Sequence, residues 1–104
     1  MVKIKTLEKN RYSIITDNMD ECYICGRPAT QKHEVIYGRN RKNSMEDGLV
    51  IPLCMNCHTG DNGVHNNKKL DNDLHQLAEI RWLKHYNKTI EDFIKRYGRN
   101  YVDK

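Results

Sequence analysis

The sequence predicts a small α+β domain in which a strand-rich, cysteine-stapled centre is followed by two C-terminal helices. Three observations carry that expectation. The chain has 104 residues, a length that suits one domain. Leu, Ile, Val and Phe together make up about a fifth of it, too few to hold a domain of this size on apolar burial alone. Four cysteines fall in two close pairs, Cys22/Cys25 and Cys54/Cys57, and offer the missing staple. The same composition excludes a large catalytic barrel, a membrane protein and a hydrophobically driven mini-protein.

A single domain over residues 1–104 divides into an N-terminal strand segment (1–21), a metal core (22–67) and C-terminal helices (68–104). Residues 11–16 (RYSIIT) are β-branched and aromatic, are closed by Asp17-Asn18, and predict a short strand. A knuckle follows at Cys22-Tyr23-Ile24-Cys25-Gly26, the glycine permitting a tight turn around a metal. Residues 32–37 and 48–53 (GLVIPL) predict two further strands. The polar, Asn/Arg/Ser-rich segment 38–47 between them predicts the loop of a long hairpin. Two Gly and three Asn lie within 58–67, which predicts another loop. From Lys68 onward Leu70, Leu74, Leu77, Ala78 and Leu83 form a helical stripe, with Asp71 and Asp73 near its start and Lys84 and His85 near its end, as the helix dipole favours. Thr89 and Asp92 make a capping-box pattern. Ile90, Phe93, Ile94 and Tyr97 give a second amphipathic helix, and Gly98 supplies its stop.

The cysteine spacing carries the chemistry. Cys22-x₂-Cys25 and Cys54-x₂-Cys57 stand 28 residues apart, and each pair can present two thiolates to one ion. Zn²⁺ takes four tetrahedral ligands, so Cys22, Cys25, Cys54 and Cys57 leave no open position and read as a structural zinc site. A redox dithiol needs one CxxC at a helix start rather than two matched pairs. Zinc would also supply the folding free energy that the thin core lacks. The longest apolar run, residues 49–55, is far short of a membrane span. The basic N-terminus lacks an apolar signal region. Both points place the expected compartment in the cytoplasm, where thiols stay reduced, with no membrane partner.

The net charge of +4 permits a nucleic-acid partner. Arg27, Lys32, Arg39, Arg41 and Lys42 are opposed between positions 27 and 42 only by Glu34, so this segment is expected to face phosphates. His33 and Glu34 follow the first knuckle, His58 directly follows the last cysteine, and His65 lies seven positions beyond it. The cysteines would draw those segments together, so His33, His58 and His65 are expected to converge on a divalent ion. His75 and His85 fall on the helix away from that frame and read as solvated.

The order of these residues, Cys22 to Asn67, resembles the HNH (ββα-metal, His-Me finger) endonuclease family, and in particular its small phage and prophage members. The stretches that carry the likeness are Lys32-His33-Glu34-Val35, Asn40-Arg41-Lys42, Gly48-Leu49-Val50, Leu53-Cys54-Met55-Asn56-Cys57-His58 and Gly63-Val64-His65-Asn66. The closing Phe93 and Tyr97-Gly98-Arg99-Asn100-Tyr101 add to it. The resemblance implies a zinc-stapled ββα-metal core and a metal-dependent hydrolysis of DNA phosphodiester bonds with low sequence specificity. It implies structural zinc on the four cysteines and a catalytic Mg²⁺, Mn²⁺ or Zn²⁺ on His33, His58 and His65. Glu34 falls where that family carries its general-base histidine, so either His33 or Glu34 is the base. Neighbours on a strand face opposite ways, so the two share a site only at a strand end or bulge. Gly48 stands where the family places an Asn, with Asn40, Asn43 and Asn66 as substitutes. Lys32, Arg39, Arg41 and Lys42 would hold DNA phosphates, and a recombination or packaging protein is a possible partner. Two alternatives stand beside this reading: a zinc-dependent nucleic-acid-binding module without turnover, and a protein adaptor using the helix around Trp82.

Overall fold

In the computed structural model the described residues are 4–102, so the outermost positions of the predicted segments 1–21 and 68–104 lie outside the described residues. Seven elements follow in order: α1 (Ile4–Lys9), β1 (Gln31–Glu34), α2 (Arg41–Asp47), β2 (Val50–Leu53), α3 (Met55–Thr59), α4 (Lys68–Tyr86) and α5 (Ile90–Tyr97), with 3₁₀ turns at Gly38–Asn40 and Val64–Asn66. The architecture is the small α+β fold expected, a two-stranded antiparallel hairpin wrapped by helices.

The hairpin pairs Gln31 with Leu53 and Glu34 with Val50. Both strands are shorter than their sequence patterns, although the Val35 N–H still donates to the Leu49 carbonyl at 2.9 Å beyond the ladder. Every residue of β2 is buried, which suits a continuous apolar run covered on both faces. The first knuckle lies along this strand, with the Tyr23 N–H on the Pro52 carbonyl at 2.8 Å and the Thr30 N–H on Leu53 at 3.0 Å.

Two sequence expectations fail here. Residues 11–16 are not a strand, and the N-terminal segment begins with α1 instead. Ser13 Oγ accepts the N–H groups of Ile15 and Thr16 at 2.9 and 3.1 Å, a local turn that competes with ladder bonding. Segment 38–47 is not a loop but a 3₁₀ turn running into α2. Only Ser44 and Met45 of α2 are buried, so the helix shows almost no apolar period. Gly48 ends it in the left-handed region at φ 77°, and a Cβ there would lie 2.6 Å from the Tyr12 ring. The position therefore has no room for the Asn that the family pattern would place there.

The C-terminal helices form as predicted. Asn67 Oδ1 caps α4 by accepting the Leu70 N–H. Thr89 and Asp92 complete their capping box, and Gly98 stops α5 at φ 87°. Leu74, Ala78, Trp82, Phe93 and Tyr97 meet the hairpin residues Ile51 and Leu53 in one core. Trp82 packs edge-on to Phe93 at 5.4 Å, and Phe93 stacks on Tyr97 at 4.6 Å. Asp47 ties α2 to both helices: its carboxylate accepts from Trp82 Nε1 (2.8 Å), Tyr97 OH (2.7 Å) and Arg96 Nη2 (2.9 Å), and its carbonyl from Tyr86 OH (2.9 Å). Trp82 itself is thus buried core. Among the described residues no helix is long and apolar enough to cross a membrane.

Candidate metal centres

The first knuckle forms because the Gly26 N–H returns to the Cys22 carbonyl at 2.9 Å, with Gly26 at φ 80° where a side chain would be strained. An isolated bridge between Glu21 and Pro28 closes its base. The second knuckle opens α3, with Cys54 at its N-cap and the His58 N–H on the Cys54 carbonyl at 3.0 Å. The four sulfurs of Cys22, Cys25, Cys54 and Cys57 lie within 4.8 Å of one another, and Cys25 and Cys54 approach to 3.6 Å. Zinc bonds of about 2.3 Å place tetrahedral sulfurs about 3.8 Å apart, so the cluster fits that ion. Burial would raise the Cys22 thiol, but N–H groups of Cys54, Cys25 and Ile24 outweigh it and lower its pKa to about 6. Backbone N–H groups lower Cys54 as well, whereas burial and the neighbouring sulfurs push Cys57 up, so a metal would have to displace the Cys57 proton on binding.

Cys57 and His58 are neighbours on α3, about 100° apart around the helix, so one short helix serves two centres. His33 comes from β1, His58 from α3 and His65 from the 3₁₀ turn that buried Val64 anchors. Their ring nitrogens lie within 4.8 Å of one another, as the sequence led us to expect. His58 Nε2 and His65 Nε2 are 2.9 Å apart, and the His33 ring centroid is 5.2 and 5.4 Å from theirs. His33 is 4% exposed, and its Nε2 has no hydrogen-bond partner. A buried polar atom in that state calls for a partner, and a cation between the three rings would provide one. Burial first, then the charges that His58, His65 and His75 would carry, push the His33 pKa down to about 3. Burial and His65 lower His58 as well. The neutral imidazoles are ready ligands, and three of them leave a divalent ion positions open to water or substrate.

Glu34 turns to the opposite face of β1. It is ion-paired with Arg11 at 2.7 Å and Arg41 at 2.8 Å, and Arg41 also pairs with Glu8. Strand alternation thus separates the two candidate bases, and Glu34 is not among the converging groups. Arg41 is taken up by carboxylates, whereas Lys32 and Arg39 are exposed and Lys42 is half-buried. The three substitute asparagines are also engaged. Asn40 and Asn43 donate to the carbonyls of Tyr97 and Arg96, each at 2.9 Å, and Asn66 donates to the Gly60 carbonyl at 2.9 Å.

A cleft of about 360 Å³ beside His65 is lined by Tyr37, Asn67, Lys68 and Asp71 among others. Neither Tyr37 nor Asp71 was read as a site residue from the sequence. The Tyr37 hydroxyl donates to Asp71 Oδ2 at 2.5 Å, and this bond pushes its pKa up to about 12. His75, expected to be solvated, is half-buried: its ring centroid is 4.7 Å from Tyr101 and 5.5 Å from Tyr37, and its Nε2 is 3.5 Å from Asp71 Oδ1. The signal was present in the i,i+4 spacing of Asp71 and His75 on one helix face. His85 is exposed, as expected. Searches of protein-family models, curated proteins and solved structures find no match to this chain.

Proposed function

We propose that this chain is a metal-dependent endonuclease that hydrolyses DNA phosphodiester bonds, with Zn²⁺ on the four cysteines and a catalytic Mg²⁺, Mn²⁺ or Zn²⁺ on His33, His58 and His65. The observation that supports this reading best is the convergence of ring nitrogens from His33, His58 and His65 within 4.8 Å, with the buried His33 Nε2 lacking a hydrogen-bond partner. When bound there, a divalent ion supplies Lewis-acid polarisation of the scissile phosphate and acidifies water for attack.

The chain's own residues do the positioning. Burial keeps His33 neutral, and a neutral imidazole carries one nitrogen lone pair available to a metal. An imidazole with a pKa near 3 is a weak proton acceptor at neutral pH, which favours His33 as a ligand rather than as the base. Glu34 is the positioning partner of Arg11 and Arg41 rather than an acid–base group. Exposed Lys68, at the rim of the His65 cleft, supplies positive charge beside the phosphate. Nothing at the site resembles a base-reading element, in keeping with low sequence specificity.

A second reading, a zinc-dependent nucleic-acid-binding module without turnover, is favoured by one observation: Glu34, Asn40, Asn43 and Asn66 are all committed to structural bonds. Plasmid nicking with Mg²⁺, Mn²⁺ or Zn²⁺ separates the two. The endonuclease reading expects metal-dependent nicking that His33→Ala and His65→Ala each lower by at least about 100-fold, since each removes a metal ligand. Binding of DNA without cleavage under every metal leaves the second reading.

A further inference from the structure

A second cleft, of about 480 Å³, opens where the Gly38–Asn40 turn meets the C-terminal end of α5. Four cations line it, Arg39, Lys95, Arg96 and Arg99, and no carboxylate does. Arg96 is neutralised by Glu46 and Asp47, but Arg39, Lys95 and Arg99 are exposed and make no salt bridge among the described residues. A concave surface of one sign focuses its field on a counter-ion.

The end of α5 would ordinarily spoil an anion site, because the last helix carbonyls carry partial negative charge. Here the Asn40 and Asn43 amides donate to the Tyr97 and Arg96 carbonyls. The two side chains left without a catalytic part therefore offset part of the negative end that would repel a phosphate. A chain of ring contacts also links the edge of this cleft to the histidine centre. Tyr37 lies 6.3 Å from the His65 ring and 5.5 Å from His75, His75 lies 4.7 Å from Tyr101, and the Arg99 guanidinium sits 4.7 Å over the Tyr101 ring. Tyr37, 44% exposed, leads directly in sequence into Gly38 and Arg39.

Resting on the phosphodiester reading of the triad, we propose that this cleft is a subsite for the backbone phosphates of the DNA flanking the scissile bond, held by Arg39, Lys95 and Arg99. These phosphates lie beyond the reacting group, so their contacts serve binding and orientation rather than the chemical step. Each neutralised phosphate releases counter-ions, so each contact adds to the salt dependence of binding.

The test is binding of a fluorescein-labelled DNA duplex to the zinc-loaded full chain across a salt series. Lys95→Ala and Arg99→Ala are each expected to weaken binding several-fold and to lower the slope of log affinity against log salt by about 0.9. Lys84→Ala, from a basic surface on α4 lined by different residues, is the control and should leave the slope unchanged. His65→Ala separates this proposal from the nuclease reading: it should remove nicking, while Lys95→Ala and Arg99→Ala made in that background should still each lower the slope by about 0.9. Where nicking is measurable, Lys95→Ala should raise KM and leave kcat close to wild type. Unchanged slopes in the Lys95 and Arg99 variants, an equal loss in the Lys84 variant, or an acidic peptide bound at this cleft as tightly as the duplex would each overturn the proposal.

Discussion

His33 illustrates how one residue couples stability to the site. Its folded-state pKa of about 3 lies below the ordinary histidine value near 6.5, so between those values the unfolded chain binds more protons than the native one. Stability therefore rises with pH across that window and is lost as the pH falls from about 6.5 towards 3, by up to about 1.4 kcal/mol per pH unit for one group. Urea unfolding at pH 4.5 and 6.5 should show a smaller pH difference in His33→Phe than in wild type, with the zinc thiolates contributing equally to both. An identical difference would mean that His33 titrates normally. The converging histidines were legible because His33 follows the first cysteine pair and His58 and His65 follow the second. The opposed fates of His33 and Glu34 followed from strand alternation as soon as both lay within β1. His75 and Tyr37 were hidden because their environment comes from each other and from Tyr101, which no local pattern joins.

At the scale of elements, the expectations that held are those with local chemistry: the knuckles, the two amphipathic helices, the Thr89 capping box and Gly98. Thr89→Ala should cost about 1 kcal/mol, read as a shift in the denaturation midpoint without a change in its slope. Of the elements missed, α2 is held by contacts distant in sequence. Asp47 accepts from Trp82, Arg96 and Tyr97, partners 35 to 50 residues away, and no window around it reveals them. Asp47→Ala leaves the Trp82 and Tyr97 donors unanswered while Arg96 keeps Glu46, so it should destabilise the chain by about 2–4 kcal/mol. Thermal unfolding of the variant checks this, and a loss under about 1 kcal/mol would remove Asp47 as the tie between α2 and the helices. Gly48→Ala should also destabilise, through both its left-handed backbone and the Tyr12 ring beside it.

For the whole molecule, the short supply of large apolar residues and the four cysteines are two sides of one design. Among the described residues the core gathers around β2 and the aromatic residues of α4 and α5, and the two knuckles meet at the four sulfurs. Because Cys57 and His58 share α3, loss of the sulfur-bound ion should also dissolve the histidine centre. A strong chelator is therefore expected to unfold the knuckle half, seen as loss of amide protection in hydrogen exchange across Cys22–Cys57. The central claim, one four-sulfur centre and one three-imidazole centre in each chain, is tested most directly by counting metal. After equilibration with excess Zn²⁺ and removal of free ion, elemental analysis should find two equivalents in the wild-type chain and one in a folded His33→Ala/His65→Ala chain. One equivalent in both would contradict the histidine centre.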